Sequence, residues 1–302
     1  MPDEQRFRRA LQAGTLVGDG AMGTELQRQG LPPGSAGESW NVTDPDRVEA
    51  IHRAYLKAGS DLVLTNSFGA NPWVLGRYGL DEEFEAINRE AARTARRAAG
   101  DLFVLGDIGP CGGFLVPLGE VRRDRLADAF ERQAAALLEG GADAILVETM
   151  SALDEAVIAV KAARAAGAPF VGASMTFDSL PNGRVRTMMG EEPERAATAL
   201  AEAGADMIGA NCGTRMTIAD YSALTELFRS AVSLPIIIQP NAGQPELVDG
   251  VPVYRLAPAD FASAMLSVLE AGASVVGGCC GTTPAHVAAL RAVVDRWLAG
   301  KK

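Results

Sequence analysis

The sequence predicts an α/β fold, a single (β/α)8 (TIM) barrel spanning residues 1–302. Three observations carry that expectation. Eight short apolar runs alternate with stretches of helical periodicity, one junction pattern recurs between them, and the long loops follow the apolar runs rather than precede them. A chain of 302 residues is long for an ordinary domain and normal for an α/β barrel.

The apolar runs are LVGDGA (16–21), DLVLTN (61–66), LFVLGDI (102–108), AILVET (144–149), FVGASM (170–175), MIGANC (207–212), IIIQPN (236–241) and SVVGGC (274–279). Near-continuous apolar runs suit parallel strands covered on both faces. Between them lie amphipathic helices. Val48, Ile51, Tyr55 and Leu56 share one face, as do Leu126, Phe130 and Leu137, and then Val287, Leu290, Val294 and Trp297. The segments KAGSDLVLT, EGGADAILVE, EAGADMIGA and EAGASVVGG share one order: helix end, Gly, short turn, strand. RAAGDLFVL and RAAGAPFVGA are variants. Gly59, Gly100, Gly141, Gly167, Gly204 and Gly272 fit the position just past a helix C-terminus, where the chain turns left-handed. A doubly wound dinucleotide fold fits less well. GDGAMGTE matches the glycine fingerprint loosely, and the second run ends in Thr65–Asn66 rather than an acid.

Composition narrows the function. The net charge of −10 and the lack of a long basic run argue against nucleic acid as a partner. No apolar run approaches the ~20 residues of a membrane span. The charged N-terminal stretch lacks the apolar centre of a signal peptide, so a soluble, cytoplasmic protein is expected. Four cysteines do not make a disulfide framework.

The loops 31–45, 177–190 and 242–257 follow strands, which in a barrel places them at the C-terminal mouth where chemistry is built. Polar residues end the runs there: Asp19, Asn66, Asp107, Glu148, Cys212, Asn241 and the pair Cys279–Cys280. Neighbouring side chains on a regular strand point to opposite faces. Cys279 and Cys280 therefore converge only if the strand bends, and Gly277, Gly278 and Gly281 permit it. With Cys212 they could form a three-thiolate set, the pattern of a zinc site with one open position. Buried core cysteines, a vicinal redox pair, and a phosphate site at GGCCGTTP are the alternatives. Cys111 could be a fourth ligand, and its role stays open. His52 and His286 read as packing or surface residues. Asp19 and Glu148 could serve as an acid–base pair or hold a substrate ammonium; Asp19 could also cap a helix.

Taken together, GDGAMGTEL, AGSDLVLTNSFGAN, ANCG, PNAG and GGCCGTTPAHV resemble the zinc-dependent homocysteine S-methyltransferases, with the nearest likeness to the homocysteine-binding barrel of cobalamin-dependent methionine synthase and to betaine–homocysteine methyltransferases. The likeness runs along nearly the whole chain, in order. It implies a methyltransferase that moves a methyl group to the zinc-bound thiolate of L-homocysteine and yields L-methionine. It implies Zn2+ on Cys212, Cys279 and Cys280. It places the substrate ammonium on Asp19 and Glu148, and the substrate carboxylate on the backbone around Gly20 and Met22.

The methyl donor is less defined. The animal betaine enzymes carry tyrosines where this chain has Gly69 and Thr149. An aromatic cage for a quaternary ammonium would have to come from Trp40, Phe68, Phe177 and Tyr254. Gly69 and Asn71 look like methionine synthase instead, so the expected donor is methylcobalamin on a separate corrinoid protein, with betaine or S-methylmethionine as alternatives. Trp40, Asn66, Phe68, Asn241, Arg184 and Arg186 are the candidate donor-side residues, the two arginines because the 177–190 loop follows the fifth strand. The rivals from other classes are a non-catalytic zinc- or thiol-binding barrel subunit and a phosphate-binding barrel lyase or isomerase.

Overall fold

The computed structural model describes residues 5–248 and 251–301; residues 249–250 of the third long loop lie outside the described residues. Eight parallel strands form the expected barrel: β1 (Leu16–Val17), β2 (Leu62–Leu64), β3 (Phe103–Ile108), β4 (Ala144–Met150), β5 (Val171–Met175), β6 (Met207–Asn211), β7 (Ile236–Gln239) and β8 (Val275–Val276). Their hydrogen-bonded order is β1-β8-β7-β6-β5-β4-β3-β2. The ends of that order, β1 and β2, meet through separate hydrogen bonds. Asp61 N–H donates to the Val17 carbonyl at 2.7 Å, and Leu64 N–H donates to the Asp19 carboxylate at 2.8 Å.

The helices are α1 (Arg6–Ala13), α2 (Met22–Arg28), α3 (Trp40–Thr43), α4 (Pro45–Lys57), α5 (Pro72–Gly76), α6 (Phe84–Ala99), α7 (Arg123–Glu139), α8 (Leu153–Ala165), α9 (Pro193–Glu202), α10 (Ile218–Ala231), α11 (Pro258–Glu270) and α12 (Pro284–Ala299). Among the described residues, no helix is long and apolar enough to cross a membrane.

Strand alternation sorts the apolar residues into two cores. One fills the barrel: Leu62, Phe103, Leu105, Ala144, Leu146, Met207, Ile237 and Val275. From below, Phe7 of α1 enters it and meets Phe103 and Phe170 edge-on at 5.0 and 4.9 Å. The other core, with Val63, Val104, Val147, Ile208 and Ile238, joins the strands to the helices. The six junction glycines all have positive φ, from 56° to 105°, so the repeated Gly does end each helix in a left-handed turn.

The four junctions of identical grammar precede the even strands, and they make one construction four times. Asp61, Asp143, Asp206 and Ser274 each donate N–H to a carbonyl of the preceding strand, on Val17, Val104, Val171 and Ile236, at 2.7–2.8 Å. Each side chain accepts the N–H of that same residue, at 2.7, 2.8, 2.9 and 3.4 Å. An arginine then closes three of the four turns onto a carboxylate: Arg291 on Asp61, Arg96 on Asp143, Arg164 on Asp206. At the fourth, Arg229 donates to the Gly272 carbonyl at 2.8 Å. This end of the barrel satisfies its own charges.

The strands are shorter than the apolar runs that predicted them. β1 and β8 hold two residues each, because beyond them the chain leaves the ladder to build the mouth. Gly278 N–H still reaches the Asp19 carbonyl at 2.9 Å and Cys279 N–H the Pro240 carbonyl at 2.8 Å.

Candidate active site

The alternation that fills the barrel with Phe103 and Leu105 places Asp107 next in line on the same side of β3. Likewise Ala144 and Leu146 lead to Glu148, Met207 to Asn211, Ile237 to Gln239, and Val275 to Cys279. A polar layer thus lies on top of the apolar one. It floors a cleft of about 450 Å³ at the mouth, lined by Asp19, Gly20, Met22, Glu38, Asn66, Phe68, Asp107, Glu148, Cys212, Gln239, Cys279 and Cys280 among others. The lining contains no Lys, Arg or His.

Cys212, Cys279 and Cys280 come together, with their sulfurs all within 4.8 Å of one another. Cys212 Sγ lies 3.6 Å and Cys279 Sγ 3.9 Å from Cys280 Sγ. The bend that this requires is present: Gly281 has φ +78°, and a Cβ at Gly278 would sit 2.5 Å from the Thr282 side chain. Cys212 itself has φ +52°, a costly conformation for a residue with a side chain. The three thiols pull one another's acidities apart. Hydrogen bonds from the Cys212 and Cys279 thiols pull Cys280 down to about 3 against the effect of burial. Cys279 is pushed up because it donates to both partners. Cys212 is pushed up to about 12: a hydrogen bond with Cys279 favours its thiolate, but its hydrogen bond to Cys280, burial, and the charges of Cys280 and Glu148 outweigh that.

Cys111 stands apart. It is buried in the loop after β3, its N–H donates to Glu155 of α8 at 2.7 Å, and burial pushes its thiol up to about 12. His52 is buried in α4 and pushed down to about 4 by burial. His286 completes the N-terminal capping box of α12 with Thr283 and reaches the Leu256 carbonyl at 2.9 Å.

The carboxyls are the second feature. Asp19 is pushed up to about 7 by burial. Glu148 is pushed up to about 8 by burial and then by Asp19 and Cys280. Asp107 is raised well above the usual range by burial and then by Glu148, Asp19 and Glu38. Asp19 Oδ1 and Asp107 Oδ1 are buried without a hydrogen-bond partner. Three buried acids with no cation among them leave a site for one.

Asn211 pins this layer. Its Oδ1 accepts from Thr149 N–H at 3.0 Å and Ser174 Oγ at 2.8 Å, while its Nδ2 donates to Thr149 Oγ1 at 2.6 Å and Glu148 Oε2 at 3.3 Å. These bonds hold the bulge at the end of β4, where Thr149 has φ +58°. Sequence reasoning did not single out Asn211, Gln239 or Glu38 for the site. The first two share strand parity with Met207 and Ile237, which is the signal that marks them. Glu38 reaches the cleft through tertiary folding of the loop after α2, where its Oε1 accepts from Gly69 N–H at 2.7 Å.

Of the candidate donor-side residues, Asn66 and Phe68 line the cleft. Asn66 Nδ2 is held by the Gly37 carbonyl and by Asn41; Phe68 is exposed. Trp40 packs against the outer core beneath the Arg47 guanidinium, 5.0 Å from its ring. Phe177 is buried against Phe228. Asn241 lies beyond β7 with a buried, unpartnered Oδ1. Arg184 and Arg186, on a hairpin of Asp178–Ser179 with Val185–Arg186, both pair with Glu192 at 2.5 Å.

The homocysteine S-methyltransferase family pattern matches residues 16–294. The chain belongs to the homocysteine S-methyltransferase family. It is 40% identical over 295 residues to a methionine synthase of Mycobacterium tuberculosis and 38% identical to that of Mycobacterium leprae. Those alignments cover 92% and 93% of the chain, which spans about a quarter (24%) of the length of each relative. Among solved structures it is similar to the metallated form of the homocysteine methyltransferase MmuM from Escherichia coli, with TM-score 0.78 and 25% identity over 96% of this chain and 99% of that one. The carboxyl transferase domain of Rhizobium etli pyruvate carboxylase, at 15% identity and TM-score 0.56, shares the fold.

Proposed function

We propose that the protein is a zinc-dependent homocysteine S-methyltransferase whose methyl donor is a corrinoid protein, and that residues 1–302 act as one homocysteine-binding barrel. The observation that carries the reading is the pairing, in one cleft, of a three-sulfur cluster with a layer of buried carboxyls that no cation neutralises. Homocysteine needs both: a soft site for its sulfur and an anionic site for its ammonium.

The donor set fits zinc. Three sulfurs converge and an open cleft lies beside them. When bound to Cys212, Cys279 and Cys280, zinc would supply a Lewis acid that keeps the substrate sulfur deprotonated at neutral pH. Asp19 and Glu148 receive the ammonium, with Asp107 beside them as a further hydrogen-bonding group. The substrate carboxylate takes the backbone N–H groups around Gly20 and Met22, where α2 begins without a side-chain cap. Docking the ammonium favours ionised Asp19 and Glu148, so binding releases protons near neutral pH. The substrate sulfur gives its lone pair to the donor's methyl carbon, and the donor departs with the old bonding pair.

Two observations favour a macromolecular donor. The candidate cage is not assembled: Trp40 and Phe177 belong to the outer packing, and a betaine carboxylate would find no cation in the lining. The same lack weighs against a phosphate-binding lyase or isomerase. Around the mouth, by contrast, apolar side chains stand in water. Phe68, Phe114, Leu118, Met188, Leu247 and Val248 are all exposed, and all lie on loops that follow strands, as a surface for a protein partner requires.

The test is a donor screen with zinc-loaded protein and homocysteine. A methylated corrinoid protein or methylcobalamin is expected to yield methionine at a rate at least about tenfold above betaine or S-methylmethionine. Equal or faster transfer from betaine or S-methylmethionine would overturn the donor assignment. Methionine formation without bound zinc would overturn the metal assignment.

A further inference from the structure

Glycines let the segment after β1 lie against the turn after β8. Gly20 stands in GDGA and Gly278 in GGCC. A Cβ at Gly20 would come within 2.7 Å of Thr282 Oγ1, and one at Gly278 within 2.5 Å of the same atom. Thr282 thus fills a gap that exists only because both residues lack side chains. It is fully buried, and its hydroxyl both donates and accepts. It accepts Ala21 N–H at 3.1 Å and donates to the Cys279 carbonyl at 2.6 Å. Gly278 N–H adds a bond to the Asp19 carbonyl at 2.9 Å. From the helix side, the Tyr55 hydroxyl is shared between the Ala21 carbonyl at 3.0 Å and the Thr282 carbonyl at 3.2 Å. The segment that carries Asp19 is in this way clamped to the turn that carries Cys279 and Cys280.

We infer that Thr282 is a positioning residue that sets the span between the Asp19 carboxyl and the cysteine sulfurs, and thereby selects homocysteine over cysteine. This rests on the homocysteine reading of the cleft. Such a ligand reaches one side with its ammonium and the other with its sulfur. Cysteine offers the same two groups with one methylene fewer, a difference in reach of at most about 1.5 Å, one C–C bond. A site tells the two apart only if its ends cannot close on the shorter ligand, and a missing methylene is then worth roughly 10- to 200-fold. The Asp19 carboxyl is tied to β2 through Leu64 N–H, and Thr282 ties the backbone beside it to the sulfur turn. Neither Thr282 nor Tyr55 lines the cleft, so both act through the segments they join rather than on the ligand.

Three variants test the clamp. Thr282→Val removes both hydroxyl bonds in nearly the same shape, Thr282→Ser keeps the hydroxyl, and Tyr55→Phe removes only the outer tie. Dissociation constants for L-homocysteine and L-cysteine are measured by calorimetry on the zinc-loaded proteins, with zinc content determined on the same samples. Wild type is expected to prefer homocysteine by roughly 10- to 200-fold. In Thr282→Val that ratio should fall by about tenfold, chiefly through weaker homocysteine binding, with zinc content unchanged. Thr282→Ser should restore it, and Tyr55→Phe should lie between. A Thr282→Val protein that holds zinc and keeps the wild-type ratio would overturn the inference. So would equal weakening of both ligands, which marks a purely structural role. If Thr282→Val fails to fold or loses its zinc, Tyr55→Phe decides, and an unchanged ratio there overturns the inference. A wild type that binds both thiols equally overturns the inference alone, whereas one that binds neither overturns the homocysteine reading with it.

Discussion

The two ends of the barrel are made from the same eight strands and treat charge in opposite ways. At the N-terminal end, one junction is built four times, and three of its side chains are carboxylates that accept a backbone N–H and meet an arginine. At the mouth, the strand ends follow no repeated construction. Asp19 and Asp107 keep buried oxygens without partners, Thr149 and Cys212 sit at positive φ, and three thiols crowd together. The lower end has nothing left to bind. The upper end leaves buried oxygens and thiols unsatisfied, as the proposed homocysteine site requires. Stability and function are thus placed at opposite ends of each strand.

The contrast can be broken most strongly at the cluster. Cys212→Ser should weaken zinc binding by more than the about 100-fold that loss of an outer partner costs and remove methyl transfer. The unfolding midpoint of the metal-free protein should stay near that of wild type, since no packing volume is lost. Zinc titration and calorimetry on one preparation check both halves. A variant that kept its zinc would break the assignment.

A smaller effect sharpens the charge argument. Asp19 and Glu148, raised to about 7 and about 8, hold protons in the folded chain that the unfolded chain has lost above about pH 4. Their stabilising contribution is full below about pH 4 and is lost as pH rises to about 8. Asp19→Asn should remove roughly 2–4 kcal/mol of that loss for metal-free protein. Urea unfolding at pH 5 and pH 8 measures it, and identical slopes for variant and wild type would place the source elsewhere.

The smallest effect belongs to the other end. Arg164→Ala removes one partner of Asp206, which keeps Arg8 and the Val171 N–H. The expected cost is about 1–2 kcal/mol, with kcat and KM for homocysteine unchanged. A shift in KM would show that the two ends are coupled.

The fold was legible because it is repetitive. Apolar runs of strand length and glycines past helix ends are local signals, and all six glycines took the conformation their position demanded. Even the distinction between the four like junctions and the two variants was visible in the sequence. The arginines that close them were not, since each partner lies 40 or more residues away: Arg96 and Asp143 are 47 apart, Arg164 and Asp206 42. The cluster of Cys212, Cys279 and Cys280 was legible for the same reason as the fold, because parallel strands deliver their C-terminal ends to one mouth. Asn211 and Gln239 could have been read by counting alternate residues back from the mouth. Glu38 could not, because its loop reaches the site through a tertiary contact with Gly69. Trp40 and Phe177 illustrate the reverse error. Aromatic type suggested a cage, but their positions on the outer layer decided their packing.

The clasp of Arg291 on Asp61 differs from the others in one respect. Arg96, Arg164 and Arg229 each lie within 50 residues of the turn they close, whereas Arg291 and Asp61 are separated by 230. As the chain emerges from a ribosome, three quarters of the ring can be fastened in order. The seam at β1 and β2 must wait for α12, the helix that also follows the Cys279–Cys280 turn. The last clasp and completion of the thiol cluster are therefore late events of synthesis, 11 residues apart at Arg291 and Cys280, so a nascent chain cannot assemble the full cluster long before it has a barrel to hold it.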